Sequence, residues 1–206
     1  MTGKYRSQLT VAIYLAHLNP VTKAHTEIIG ELVKENEVRV LPVIFMMGGK
    51  EINSRSFPFS YDLRKKMLQA IFGDSISVLP NYTFYSPFAR YMPPLLSPYS
   101  WEIKKQILDG IKSDYFTYTG DNAEGFVLKI YGLNPKIGTR KETSASFVKQ
   151  KMFEAAMGKE TDWEKYVEPE VIKIIHENWD IVKKFANAED QTYRVLAMKF
   201  PSTGFW

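Results

Sequence analysis

Thr22 and His25 stand three residues apart in the segment Ala16-His17-Leu18-Asn19-Pro20-Val21-Thr22-Lys23-Ala24-His25, where an apolar run gives way to helical periodicity. Residues three apart share one side of a helix, so this hydroxyl and imidazole can reach toward a single anion. The first turn of a helix also exposes unpaired N–H groups and the positive end of the helix dipole, a combination that favours phosphate. The chemistry this suggests is the holding of a triphosphate and the stabilisation of charge at phosphorus. Each residue also has an ordinary role open to it, the threonine as a helix cap and the histidine as a hydrogen-bonded structural group.

A second group of the same kind lies far along the chain. Ser144 and Ser146 open another helix, with Arg140 before them and Lys149 after, so two hydroxyls and two cations cluster at an N-terminus. Between the two groups, Pro58-Phe59-Ser60 precedes a helix bearing Arg64, and Lys50 and Arg55 lie in the loop before it. Thr119-Gly120-Asp121-Asn122 closes a β-rich run with a turn. A capped surface helix with a basic face is the plain alternative for Ser60 and Arg64.

The elements that must position these residues can be read from periodicity. Residues 9–15 form a short β-rich run ended by Asn19-Pro20, and Ala24, Ile28, Ile29, Leu32 and Val33 then recur at helical spacing. Further strands are expected over residues 38–46, 75–79, 115–118 and 136–138. Helices are expected over 60–72, 101–111, 144–157 and 170–185. Residues 193–200 read as an edge strand or an oligomer contact. The alternation of strands and helices predicts an α/β fold with a doubly wound parallel sheet and helices on both faces. Loops following its strands then share one edge, where such sheets take ligands. Residues 1–158 are read as the Rossmann-like domain and 159–206 as a C-terminal helical extension packed on it.

Composition narrows the function. At 206 residues the chain can bury a substantial core, and 45% hydrophobic with 24% charged residues is the balance of a globular protein. The absence of cysteine removes disulfides, thiolate metal sites and cysteine nucleophiles, and three histidines leave little for a structural zinc. No metal ligands are assigned. A net charge of +4 suits an anionic small molecule better than nucleic acid, which is an unlikely partner. The lack of a long apolar run argues against a membrane and, with no signal-peptide pattern at MTGKYRSQ, points to the cytoplasm.

Asn19-Pro20-Val21-Thr22-Lys23-Ala24-His25 resembles the first signature of the nucleotidyltransferase superfamily, a strand followed by (H/T)-x-G-H. Arg140-Lys141-Glu142-Thr143-Ser144-Ala145-Ser146-Phe147-Val148-Lys149 resembles that superfamily's C-terminal signature, and Pro58-Phe59-Ser60 with Arg64 its middle element. Ala16 and Ala24 stand where the pattern has glycine, and Lys149 where it has arginine. The form N-P-V-T-K-x-H looks most like nicotinamide-mononucleotide adenylyltransferases of the archaeal and phage kind.

The resemblance implies a Rossmann-like nucleotidyltransferase fold over residues 9–157, and transfer of AMP from ATP to a phosphorylated acceptor with release of pyrophosphate, Mg2+ accompanying the ATP. It implies Thr22, His25 and Lys149 as catalytic, and Ala16, His17, Asn19, Gly120, Asp121, Arg140, Ser144 and Ser146 as ATP-binding. Lys50, Arg55, Arg64 and Trp101 are then the acceptor's ligands, with Phe84, Tyr85 and Phe88 beside Trp101 as surfaces for a nicotinamide ring. Nicotinamide mononucleotide is the first-choice acceptor. Phosphopantetheine, cytidylyl transfer and a catalytically impaired nucleotide sensor or scaffold are the alternatives. A homo-oligomer is expected to be possible.

Overall fold

The computed structural model describes residues 9–138, 144–189, 191–195 and 198–206. Strand β1 (Val11–Ala16) is apolar on both faces: Ala12 and Tyr14 enter one core, and Val11, Ile13 and Leu15 the other. A strand buried on both sides belongs in the middle of a parallel sheet. It pairs with β2 (Glu37–Pro42) on one side and β7 (Tyr115–Thr119) on the other, in a five-stranded sheet completed by β5 (Ile76–Val78) and β8 (Pro135–Ile137). The order is β5-β2-β1-β7-β8, with every pairing parallel. The chain winds outward from β1 to β5, then returns past β1 to β7 and β8, so the direction of winding reverses between β1 and β7. This is the expected doubly wound, Rossmann-like α/β fold. Its reversal point is where such a sheet opens a crevice at its carboxyl edge.

One core holds helices α1 (Lys23–Leu32), α2 (Tyr61–Phe72), α5 (Ala145–Ala156), α6 (Pro169–Glu177) and α7 (Trp179–Ala186), through Ile29, Met67, Val148, Ile175 and Val182 among others. The other holds α3 (Pro98–Ile107), α4 (Asn122–Ile130) and a three-stranded sheet of β4 (Lys50–Glu51), β3 (Ile44–Met47) and β6 (Thr83–Tyr85). The last residues form a hairpin, β9 (Thr192–Val195) with β10 (Met198–Pro201). Phe200 and Phe205 join that second core. The chain's end is held there by Phe88 N–H donating to Gly204 O at 2.9 Å and Ala89 N–H donating to Phe205 O at 2.7 Å.

Several elements differ from their sequence reading. The run 38–46 is two strands in two sheets, since Pro42, which has no N–H to donate, ends β2 and the chain turns at Val43 into β3. The run 170–185 is two helices separated at Asn178, whose side chain donates to Ile174 O at 2.9 Å and closes the first of them. Helix α4 went unrecognised because Gly125 interrupts its short apolar pattern, and glycine lowers helix propensity by about 1 kcal/mol. That glycine is there for contact: a Cβ on it would lie 2.7 Å from Ile137 Cδ1. The run 193–200 is a hairpin rather than a single edge strand.

Candidate functional site

A cavity of about 470 Å3 opens at the reversal point. Ala16 and His17 reach it from the end of β1, Ala24 and His25 from the first turn of α1, and Thr119, Gly120 and Asp121 from the end of β7. Ser144, Ser146 and Lys149 line it from the start of α5. Three helix N-termini, those of α1, α4 and α5, therefore border one space, and their partial positive charges add.

The orientation of His25 follows from its hydrogen bonds. Thr22 N–H, which can only donate, donates to His25 Nδ1 at 3.1 Å, and Thr22 Oγ1 lies 3.0 Å from the same nitrogen. Nδ1 is thus an acceptor, and the neutral ring carries its proton on Nε2. Burial first, and then the nearby Lys149 ammonium, lower its pKa to about 4, so the ring is neutral near pH 7. Thr22 itself is fully buried and does not line the cavity. Its effect on a ligand passes through the imidazole that it orients.

His17 stacks on Phe57, with ring centroids 4.9 Å apart, and Lys149 Nζ lies 5.9 Å from the centroid of the same ring. Lys149 is buried and donates to Ser56 O. Burial, followed by Lys149, Arg64, Lys199 and His25, lowers the His17 pKa to about 3. Its Nδ1 is buried with no hydrogen-bond partner among the described residues. This wall of the cavity is therefore electropositive, with two neutral imidazoles beside a lysine.

The acids come from the end of β7, the strand beside β1, and from α4. Asp121 Oδ1 accepts from Ala123 N–H at 2.8 Å and Glu124 N–H at 3.0 Å, which caps α4. Thr119 Oγ1 donates to Glu124 Oε2 at 2.6 Å, and burial raises the Glu124 pKa despite that bond. At α5, Ser144 Oγ accepts from Phe147 N–H at 3.2 Å, while Ser146 is exposed toward the cavity.

Other expected site residues are placed elsewhere. Arg64 is buried and donates to the carbonyls of His17 and Val43 at 2.8 Å each, to Ser60 O, and to the Glu51 carboxylate at 2.9 Å. Its donors are spent on tying α2 to the ends of β1 and β2, and it is not in the cavity wall. Arg55 donates to the carbonyls of Phe185, Ala186 and Ala188 and lies over the Phe153 ring at 4.5 Å, so it caps the end of α7. Lys50 is exposed in the β3–β4 hairpin, outside the cavity. Trp101 also lies outside it, donating from Nε1 to Leu95 O at 3.1 Å. Tyr85 is exposed and Phe88 fully buried in the second core, which leaves Phe84 as the one of those aromatics in the cavity wall. Asn19 borders the cavity, but its amide is engaged on both sides: Nδ2 donates to Phe59 O at 2.8 Å and Oδ1 accepts from Phe59 N–H at 3.1 Å. Arg140 lies outside the described residues.

Sequence reasoning missed Glu124, the residues that join Phe84 at the apolar end, Tyr82, Tyr91, Ile103 and Tyr131, and two cations of the terminal hairpin, Arg194 and Lys199. Glu124 had a readable signal, standing three residues after the Asp121 turn. The hairpin cations had none, because only the tertiary fold brings the chain's end to the carboxyl edge of β1.

Fold and cavity together define a Rossmann-like α/β protein with a crevice at the sheet's carboxyl edge, bordered by three helix N-termini. Similar solved structures are nucleotide adenylyltransferases. A bifunctional NMN adenylyltransferase/ADP ribose pyrophosphatase from Francisella tularensis, complexed with AMP and manganese, superposes with a TM-score of 0.59 at 14% identity, over 87% of this chain and 52% of that one. A second structure of the bifunctional Francisella protein gives 0.62 at 13% identity, over 87% and 53%. This chain spans about half the length of those proteins. A putative nicotinate-nucleotide adenylyltransferase from Vibrio parahaemolyticus gives 0.51 at 17% identity, over 86% of this chain and 97% of that one. At such identities the likeness is one of fold. No protein-family model and no curated protein matches the chain by sequence. Among the described residues, no helix is long and apolar enough to cross a membrane.

Proposed function

We propose that this chain is a nucleotidyltransferase that moves AMP from ATP to a phosphorylated acceptor, nicotinamide mononucleotide first among them, and releases pyrophosphate. The observation that carries this reading is the His25 ring. Thr22 N–H fixes Nδ1 as an acceptor, so the remaining proton sits on Nε2 in a cavity bordered by the N-termini of α1 and α5. That is a donor held in place before the substrate arrives.

In the reaction, an oxygen of the acceptor's phosphate attacks the α-phosphorus of ATP. A new P–O bond forms as the bond to the bridging oxygen of the β-phosphate breaks, and pyrophosphate leaves with that electron pair. An ionised phosphate needs no base to become a nucleophile, so the protein's part is alignment and neutralisation. His25 Nε2–H and the α1 amides hold the oxygens of the α-phosphorus. Ser144, Ser146 and the α5 amides hold the β- and γ-phosphates, with Lys149 balancing their charge and Arg140 proposed beside them. Gly120, Asp121 and Ala16 border the nucleoside, and the apolar end at Tyr82, Phe84 and Tyr91 suits the acceptor's ring. The described residues gather no group of three His, Asp or Glu side chains for a metal. A Mg2+ would enter on the oxygens of the triphosphate, with the Ser144 and Ser146 hydroxyls beside it, and would supply positive charge against the pyrophosphate.

The mononucleotide acceptor draws support from the neighbours, described as NMN and nicotinate-nucleotide adenylyltransferases, one of which, from Plasmodium falciparum, was solved with NaAD. A nucleotide sensor of the same fold is the second reading. It is favoured by the methyl of Ala24, which lines the cavity where the superfamily signature has glycine. A screen of pyrophosphate release from ATP and CTP against nicotinamide mononucleotide, nicotinate mononucleotide, phosphopantetheine, phosphocholine and glycerol phosphate tests both. Turnover with ATP and a mononucleotide is expected. Thermal stabilisation by ATP with no pyrophosphate from any pair would select the sensor.

A further inference from the structure

Arg194 and Lys199 are direct partners across the β9–β10 ladder, so their side chains leave the same face of the ribbon. Like charges directly opposite one another destabilise a strand pair. Both residues line the cavity, and neither has a hydrogen-bond or ion-pair partner among the described residues. Other cations near this wall are already engaged, Arg64 by three carbonyls and Glu51 and Lys149 by Ser56 O. The buried Nδ1 of His17, just past the end of β1, also lacks a partner among the described residues, a costly arrangement unless a ligand completes it. Lys199 lies close enough to His17 to act on its protonation.

The location of the hairpin says which anion would sit there. Its residues pack at the apolar end of the cavity: Tyr82 Oη donates to Met198 Sδ at 3.8 Å, and the Phe84 and Phe200 rings meet edge to face at 5.3 Å. A mononucleotide whose ring occupies that end can bring its phosphate to the Lys199 side of the hairpin, beside His17 and His25, where it meets the α-phosphorus. We propose that Arg194, Lys199 and His17 form a second oxyanion subsite, adjoining the triphosphate cradle, which takes the phosphomonoester of the acceptor beside the α-phosphorus and so selects phosphorylated acceptors. The proposal rests on the adenylyltransferase reading for its choice of ligand. The two cations hold the phosphate by charge-assisted hydrogen bonds and relieve their own repulsion, and the His17 ring donates its single N–H from Nδ1.

The test uses the full chain with Arg194→Ala, Lys199→Ala, the double variant and His17→Asn. Lys199→Gln, which keeps the aliphatic stem, covers the case in which the alanine variant disturbs the ribbon. Pyrophosphate-release kinetics are expected to show the KM for nicotinamide mononucleotide raised about tenfold or more by each cation removal. The KM for ATP should stay within about twofold, and Lys199→Arg should restore most of the loss. A KM rise for ATP alone would assign these cations to the triphosphate and overturn the proposal, as would no change in either KM. Calorimetry with nicotinamide mononucleotide and with inorganic phosphate separates the two readings. If the wild type releases no pyrophosphate, the enzyme reading falls, but weakened phosphate binding in the variants still upholds the subsite. Equal binding by wild type and variants, or none by the wild type, overturns it.

Discussion

Replacing His25 tests the central geometry, because two separate functions of one ring can be pulled apart. Nε2–H faces the cavity and Nδ1 closes the first turn of α1 by accepting from Thr22 N–H. Removing one preorganised donor aimed at transition-state charge costs about 2.7–4 kcal/mol, or roughly 10^2–10^3 in kcat. Loss of the cap costs about 1 kcal/mol, which for a chain of this size lowers Tm by roughly 2–4 °C. His25→Ala should show both effects. His25→Gln should show mainly the first, since a glutamine at the third helical position can still accept from the N-cap amide. Steady-state pyrophosphate release with saturating ATP and nicotinamide mononucleotide, read beside thermal melting, gives the two numbers. The reasoning fails if His25→Ala keeps kcat within about threefold of wild type, or if His25→Gln recovers it. Nitrogen NMR offers an independent check, where a neutral ring protonated on Nδ1 would contradict the bonding described.

Acid should weaken the fold through the two buried imidazoles. Their pKa values, lowered to about 3 for His17 and about 4 for His25 against about 6.5 in the unfolded chain, mean that the unfolded state binds more protons between those values. The stabilisation is full above about pH 6.5 and is lost as pH falls toward 4 and then 3, at up to about 1.4 kcal/mol per pH unit for each ring. Urea unfolding from pH 4.5 to 7 should therefore slope upward, and the slope should flatten in the His17→Asn, His25→Gln double variant. An unchanged slope would show that the two imidazoles do not govern this range; Glu124, whose pKa burial raises, tilts stability the other way. Arg64→Leu takes the guanidinium from the Glu51 carboxylate and from the His17 and Val43 carbonyls, and should cost about 3–5 kcal/mol. A variant that melts like wild type yet has a raised acceptor KM would return Arg64 to the substrate. Ala24→Gly removes a methyl from the cavity wall, and should raise kcat/KM for ATP severalfold while lowering Tm by a few degrees through its helix cost of about 0.5–1 kcal/mol. Unchanged or lower kcat/KM would mean that the methyl does not limit phosphate approach.

Much of the fold was legible because its cause is local. The alternation of buried strands and amphipathic helices from β1 to α5 follows from side-chain periodicity, and a parallel sheet follows from the crossovers. The N-caps at Ser60 and Ser144 were readable for the same reason: Ser60 Oγ accepts from Leu63 N–H at 3.4 Å, and Ser144 Oγ from Phe147 N–H at 3.2 Å. Helix α4 was not, since its glycine is explained by Ile137, twelve residues further on. The division of residues 38–46 between two sheets depends on β6, which is also distant in sequence.

The cations show most clearly where sequence reading stops. Arg55, Arg64, Lys149 and Lys199 are alike as charges on a string, and all but Lys199 stand beside a recognisable motif. Their roles are decided by which carbonyls the fold leaves without partners. Arg64 meets those of His17 and Val43 at the ends of β1 and just beyond β2, and Arg55 meets those at the end of α7. A guanidinium with five donors suits such converging carbonyls, so both arginines serve structure. At the cavity, Lys149 comes from a motif, whereas Arg194 and Lys199 come from a hairpin with none. On the proposed reading, a cavity whose lining runs from Tyr14 to Phe200 has its selectivity at the chain's least recognisable end.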